Sequence, residues 1–231
     1  MSERVLLIPA AGVGERMKIG YPKQYYPLIG EQTMLEVTVN RLSAMGLFDR
    51  IVVVVSEKDS YIKSCKFNGN VIVNFCGGET RAQSVLNGLL KVQLQDDDWV
   101  FVHDAARPCV EKESVLRLMQ AVKNEAIDGA ILAMPVSDTI KWVNEDGVIE
   151  KTIDRSHCYR AQTPQLFRAR PLIEALSKAK VSVTDEAGAM EMQGARVKVV
   201  EGSAYNVKVT YPDDIEIVRN YLEILLQEHK K

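Results

Sequence analysis

Apolar residues along the chain fall into two alternating rhythms. Short runs rich in Val, Ile and Leu, bounded by Pro, Gly or charged residues, predict buried strands at Arg4–Ile8, Ile51–Val55, Val71–Phe75, Trp99–Val102 and Ala130–Pro135. These runs lack a polar alternation, as in parallel strands covered on both faces. Between them, apolar positions 34, 35, 37, 39, 42 and 45 form a helical stripe over Thr33–Met45, with Gly46 as its stop. Thr80–Val92 reads as a second helix with Val85, Leu86, Leu89 and Leu90 inward, and Lys112–Lys123 as a third. Strand and helix alternate to about residue 135, which predicts an α/β fold with a mostly parallel central sheet and helices on both faces. Ligands of such sheets bind beyond the C-terminal ends of the strands. That directs attention to Pro9–Met17, Gly77–Arg81 and His103–Pro108.

The rhythm then breaks. Thr139–Val143 and Val148–Ile153 read as two strands joined by Asn144-Glu145-Asp146-Gly147, a hairpin turn signal. A hairpin inserted into a parallel fold projects as an arm and offers a pairing surface to a second subunit. Helices near Arg170–Lys178 and Thr184–Gln193, a strand at Val197–Glu201 and a helix from Asp213 to about Gln227 follow. Without a repeat or a Pro/Gly-rich linker, the economical organisation is one domain over residues 1–231. The arm occupies 136–160 and serves as the expected dimerisation element.

Composition narrows the class of function. The 231 residues carry 29 Lys+Arg against 31 Asp+Glu, a net charge of −2, which argues against a nucleic-acid binder that works through bulk positive charge. With 46% hydrophobic and 26% charged residues, the chain is of ordinary globular composition. Cys65, Cys76, Cys109 and Cys158 are scattered without zinc-type spacing, so they read as small hydrophobes in a reducing compartment. Val5–Ile8 is too brief for a secretory signal and follows Glu3 rather than a basic stretch. A soluble, cytoplasmic protein is expected.

The loop after the first strand, Pro9-Ala10-Ala11-Gly12-Val13-Gly14-Glu15-Arg16-Met17, has the small residues that let a backbone approach an anion closely. It is not a Walker loop, and Met17 stands where a dinucleotide fingerprint needs its third glycine. Arg16 and then Lys23, in Pro22-Lys23-Gln24-Tyr25, add a guanidinium fork and a point charge suited to a phosphate chain. Taken singly, either cation reads equally as a solvated surface residue. Asp104 alone reads as a helix cap or as a partner of Arg107, and Lys208 as the solvent face of an edge strand. His103 reads as structural, His157 and His229 as surface residues, and Trp99 and Trp142 as packing residues.

Ala10-Ala11-Gly12-Val13-Gly14-Glu15-Arg16-Met17 followed by Pro22-Lys23-Gln24-Tyr25 resembles the signature of the sugar-nucleotide pyrophosphorylase-like nucleotidyltransferases. Within that class the chain is similar to the methylerythritol phosphate cytidylyltransferases. Further matching blocks are Gly77–Val85, Val102–Pro108, Asp138-Thr139, Thr152–Arg155, Ala161–Gln165, Thr184–Ala187 and Asn206–Thr210, all in family order. The resemblance implies a Rossmann-like nucleotidyltransferase fold. It also implies transfer of a cytidylyl group from CTP to 2-C-methyl-D-erythritol 4-phosphate, with release of pyrophosphate, in non-mevalonate isoprenoid precursor synthesis.

The resemblance also implies the site. Arg16 and Lys23 would stabilise the transition state. Pro9, Ala10, Ala11, Gly12, Gly14, Gly78, Ser84, Asp104, Ala105 and Arg107 would form the CTP site. Thr139, Arg155, Thr184 and Lys208 would take the sugar-alcohol phosphate. Asp104 would hold Mg²⁺. Arg155 lies just past the hairpin, so in a homodimer it would reach the neighbour's site. A pentitol-phosphate cytidylyltransferase acting on ribitol phosphate is the nearest alternative; Ala10-Ala11-Gly12 and Asp104-Ala105-Ala106-Arg107 favour the former. A catalytically inactive nucleotide-binding module is a third reading, opposed by Arg16, Lys23, Asp104, Arg155 and Lys208 occurring together.

Overall fold

The computed structural model describes residues 2–14, 17, 19–124, 126–179 and 183–228. In chain order, β1 is Arg4–Pro9, β2 Pro27–Ile29, β3 Gln32–Thr33, α1 Met34–Ala44, β4 Arg50–Val55, β5 Val71–Phe75, α2 Arg81–Lys91, β6 Trp99–Val102, α3 Lys112–Ala121 and β7 Gly129–Pro135. Then come β8 Ile140–Val143, β9 Ile149–Ile153, β10 Tyr159–Arg168, α4 Ala169–Lys178, α5 Glu186–Glu191, β11 Val197–Glu201 and α6 Asp213–Glu228.

The central sheet runs β11-β7-β10-β6-β1-β4-β5. Every neighbouring pair is parallel except those made by β10, which is antiparallel to both β6 and β7. The unbroken apolar runs have a direct cause. Leu6, Ile8, Val53 and Phe101 enter one core, while Val5, Leu7, Val52, Val54, Val100 and Val102 enter the core on the opposite face. A strand buried on both sides needs an apolar residue at every position.

α1 begins with a capping box: the Glu36 amide donates to the Thr33 hydroxyl, and the Thr33 amide donates to the Glu36 carboxylate. α2 begins at the cap Thr80 and buries Val85 and Leu89, but Leu90 is 64% exposed, contrary to the expectation that it points inward. α6 packs Ile215, Val218 and Leu222, one helical stripe, with Met34 and Val37 of α1 and with Cys109 and Val209. This third cluster draws the loops around residues 106–109 and 207–209 onto the end of the sheet from which β1 exits.

Two differences from the sequence reading matter. α5 covers only Glu186–Glu191, a short piece of the expected Thr184–Gln193 helix. β10 was not expected at all, and it is the ten-residue strand inserted between β6 and β7. It contains Pro164, which follows a cis peptide bond in the irregular stretch between Ala161 and Gln165. Proline is tolerated within a sheet where the ladder is interrupted. The arm forms as expected: β8 and β9 pair as a separate antiparallel ribbon, exposed along nearly its whole length. No described helix is long and apolar enough to cross a membrane.

Candidate active site

The C-terminal ends of β1 and β6, the loop before α2 and the segment after β11 enclose a cavity of about 420 Å³. Of the residues named from sequence, Pro9, Ala10, Ala11, Gly12, Gly14, Lys23, Gly78, Ser84, Asp104, Ala105 and Lys208 all line it. Ala106 and Arg81 line it too; both lie in the segments that the strand ends pointed to, though neither had an assigned role. A second cavity of about 200 Å³ shares Arg81, Asp104 and Lys208 with the first and adds Arg107, Thr163 and Thr184.

The loop after β1 is held at its base. The Ala10 amide donates to the Val54 carbonyl at 2.7 Å, and the Gln24 side-chain amide donates to the Ala10 carbonyl at 2.6 Å. Gly14 has φ +68°, and a Cβ there would stand 2.6 Å from Cγ of Lys23. Glycine therefore provides both the left-handed turn and the space in which Lys23 lies. The Lys23 ammonium donates to the Val209 carbonyl at 2.6 Å, which ties this loop to the segment that carries Lys208. Gly77 is constrained in the same way, since a Cβ there would meet that of Ala11 at 2.3 Å. On the opposite wall, the Gly78 amide donates to the Ser84 hydroxyl at 3.0 Å, which fixes the start of α2.

Asp104 is the electrostatic centre. Its Oδ1 accepts from Nε of Arg81 at 2.9 Å, while Oδ2 lies 2.8 Å from the Lys208 ammonium and 3.5 Å from Nε of Arg107. Burial by itself would push this carboxyl up. Arg81, Lys208 and Arg107 outweigh burial and hold it well below the usual carboxylate range. Arg81 is also paired with Glu186 through two bonds of 2.7 and 3.0 Å. Arg107 donates to the backbone carbonyls of Asn206 and Ala161.

The backbone under Asp104 is set by His103 and Thr163, both buried. The Asp104 amide donates to the Thr163 hydroxyl at 3.0 Å, and that oxygen lies 3.1 Å from Nδ1 of His103. Nε2 of His103 lies 2.9 Å from the Arg107 carbonyl. A carbonyl can only accept, so the ring carries its proton on Nε2 and Nδ1 accepts from Thr163. Burial pushes the His103 ring down to about 4. His103 is structural, as expected, and it shapes the turn that presents Asp104.

Other expectations resolve unevenly. Thr139 and Arg155 lie on or beside the exposed arm, where Arg155 donates to the Ser137 carbonyl, and neither lines the two cavities of this chain. Arg16 and His229 lie outside the described residues. Trp142 is 57% exposed on the arm, where the Lys151 ammonium lies 5.6 Å from its ring centre, whereas Trp99 stacks under the Arg168 guanidinium at 3.9 Å. All four cysteines are free thiols.

A glycine-containing loop at the end of a central strand, facing a cleft walled by Lys23, Lys208, Arg81 and Arg107 in a mostly parallel sheet, defines a protein of the nucleotidyltransferase fold. The profile of the 2-C-methyl-D-erythritol 4-phosphate cytidylyltransferase family matches residues 4–224. The chain belongs to that family.

Curated relatives carrying the same name include a protein of Aliivibrio fischeri strain MJ11, 43% identical over 229 residues, covering 97% of this chain and 95% of the relative. Another, from Alteromonas mediterranea, is 44% identical over 223 residues, covering 95% and 92%. Among solved structures, a 4-diphosphocytidyl-2C-methyl-D-erythritol synthase superposes with a TM-score of 0.84 at 40% identity, covering 96% of this chain and 99% of that one. The 2-C-methyl-D-erythritol 4-phosphate cytidylyltransferase of Francisella tularensis gives a TM-score of 0.81 at 38% identity, covering 95% and 100%.

The buried neutral His103 makes a pH prediction. Its folded value of about 4 lies below the ordinary 6.5, so the folded chain binds fewer protons than the unfolded chain between those values. Stability present above pH 6.5 therefore declines as pH falls towards 4, by ~3 kcal/mol from this residue. Urea unfolding across that range should show a shallower decline in His103→Gln than in the natural chain. Equal slopes would remove His103 as the source.

Proposed function

We propose that the chain transfers the cytidylyl group of CTP to 2-C-methyl-D-erythritol 4-phosphate, forming 4-diphosphocytidyl-2-C-methyl-D-erythritol and pyrophosphate. A phosphate oxygen of the acceptor attacks the α-phosphorus of CTP, and the bond from that phosphorus to the bridging oxygen of pyrophosphate breaks. A phosphate dianion is already a nucleophile near neutral pH, so the protein need not remove a proton. Its task is to align two polyanions and to meet the negative charge that grows on the α-phosphate. The observation that carries this reading is the convergence of Lys23, Arg107 and Lys208, from segments far apart in sequence, on one cleft with a narrow extension.

In this reading the larger cavity takes CTP. Backbone amides of the Pro9–Gly14 loop face the phosphates, and Ala10, Ala11, Gly78 and Ser84 frame the nucleoside. Lys23 and Arg16 stabilise the transition state. The extension, with Lys208 and Thr184, takes the acceptor phosphate and hydroxyls. Mg²⁺ is the expected divalent ion and would offset phosphate charge. Both carboxylate oxygens of Asp104 are already met by cationic side chains, so in this reading Asp104 is not the holder of the ion. The ion would instead be carried chiefly by the nucleotide's own phosphates. The protein is expected to work in the cytoplasm.

The chain is proposed to act as a homodimer through residues 136–160. The arm exposes Ile140, Trp142, Val143, Val148 and Ile149, an apolar surface that a lone chain leaves in water. Arg155 and Thr139 then complete the acceptor site of the partner subunit, which accounts for their distance from the cavities of their own chain.

Two measurements test these proposals. Purified protein with CTP and Mg²⁺ should release pyrophosphate with methylerythritol phosphate and much more slowly with ribitol 5-phosphate; turnover confined to ribitol phosphate would overturn the acceptor assignment. Mixing inactive Arg155→Ala chains with inactive Lys23→Ala chains should restore part of the activity, because some mixed dimers contain one intact site. No recovery after verified subunit exchange would show that each site is complete within one chain.

A further inference from the structure

Glu186 takes no part in the binding roles above, yet its side chain is fully buried at the edge of the acceptor cavity's wall. Its place is built from both sides. Asp185 caps α5 by accepting from the Gly188 amide at 3.0 Å. Gln165 of β10 donates to Asp185 at 2.8 Å and accepts from the Ala187 amide at 2.9 Å. The residues before and after Glu186 are thereby pinned to the central sheet, and the carboxylate is presented to Arg81, 105 positions earlier.

The geometry of Arg81 shows what this achieves. Its two terminal nitrogens each meet one oxygen of Glu186, at 2.7 and 3.0 Å, while Nε meets Oδ1 of Asp104 at 2.9 Å. Oδ2 of Asp104 faces Lys208 and Arg107 instead. A guanidinium prefers the two-pronged pairing that matches a carboxylate. Were Glu186 neutral, Asp104 would be the nearest acid able to offer Arg81 that pairing, and the fork would compete with the Lys208 ammonium for Oδ2. Glu186 also lowers the local charge sum: Asp104 alone faces three cations.

We propose that Glu186 is a positioning residue for the acceptor side of the reaction, acting through Arg81: by occupying the arginine fork, it keeps Asp104 free to hold Lys208 where the acceptor phosphate binds. This rests on the functional reading above for the role of Lys208, but the contact itself is independent of that reading. The proposal sets Glu186 apart from a residue that merely stabilises the fold, because its loss should act on one substrate and not on both.

The test is Glu186→Gln, which preserves size and removes the charge. Steady-state kinetics should show the acceptor KM raised about tenfold while the CTP KM stays within about twofold. Arg81→Lys, which keeps the charge and loses the fork, should raise the acceptor KM as well, and since Arg81 also lines the larger cavity only that KM is read in this variant. The double variant should be no worse than the more affected single one, since both act on one chain of contacts. Equal changes in both KM values, or an unchanged acceptor KM in a folded variant, would overturn the proposal. Should Glu186→Gln fail to fold, Glu186→Asp, which keeps the charge but falls short of the fork, decides by the same criteria.

A second readout needs no turnover. With lysine labelled at Cε, the resonance that disappears in Lys208→Arg should shift towards the position of free lysine in Glu186→Gln or Arg81→Lys; an unmoved resonance would overturn the proposal. If the natural chain turned over neither acceptor, the functional reading would fail while this resonance still decided the relay.

Discussion

The ion pairs around Asp104 organise the site. A buried carboxylate is costly unless its charge is met, and here it is met by Arg81 from the start of α2, Arg107 from the turn after β6 and Lys208 from the segment between β11 and α6. Each cation reaches Asp104 from a different part of the chain, so the contact also fixes three segments relative to one another. A single buried acid thereby brings positive side chains to one cleft and holds them apart at defined distances. Its hold on Lys208 and Arg107 depends in turn on Glu186 engaging the fork of Arg81.

The sheet explains why these segments meet. Parallel strands deliver their C-terminal ends to one edge, and β1 and β6 are neighbours at the centre. β10 runs the other way, so its interrupted stretch at Ala161–Gln165 passes the same edge. There Thr163 supports Asp104 and its carbonyl accepts from Asn206 at 2.8 Å. Arg107 bonds to the backbone of both Ala161 and Asn206, joining β10 to the segment that carries Lys208. The hydrophobic faces build the platform, and buried polar bonds set the position of what stands on it. Those bonds are costly to break singly, because each partner left behind would be buried without a substitute.

What the sequence revealed follows the same division. β1, β4, β5, β6 and β7 were legible because burial on both faces demands uninterrupted apolar residues. β10 was hidden because Gln162, Thr163, Pro164 and Gln165 look like a loop; their polar groups are buried by bonding to Ser203, His103 and Asp185, which no periodicity records. Lys23 was found from its place after the glycine-containing loop, and Arg107 and Lys208 through motif resemblance. Arg81 and Glu186 stood inside matching blocks but were passed over, since only tertiary structure pairs residues so distant. Arg155 and Thr139 were named as site residues, and they lie away from the cavities of their own chain because they sit on or beside the arm. Leu90 was misjudged because helical spacing alone does not locate the edge of the buried stripe. The overall balance of −2 likewise said nothing of a cleft lined by four cations.

Asp104 organises the cationic cleft through its contacts with Arg81, Arg107 and Lys208. The most direct measurement is kcat/KM for the acceptor in Asp104→Asn, taken across a range of Mg²⁺ concentrations. Removing a negative charge from a polyanion site would, by simple attraction, improve binding. Loss of the anchor for Lys208 and Arg107 should do the opposite and lower kcat/KM on the order of 100-fold, a loss that added Mg²⁺ does not restore. Undiminished activity, or recovery at high Mg²⁺, would contradict this role of Asp104.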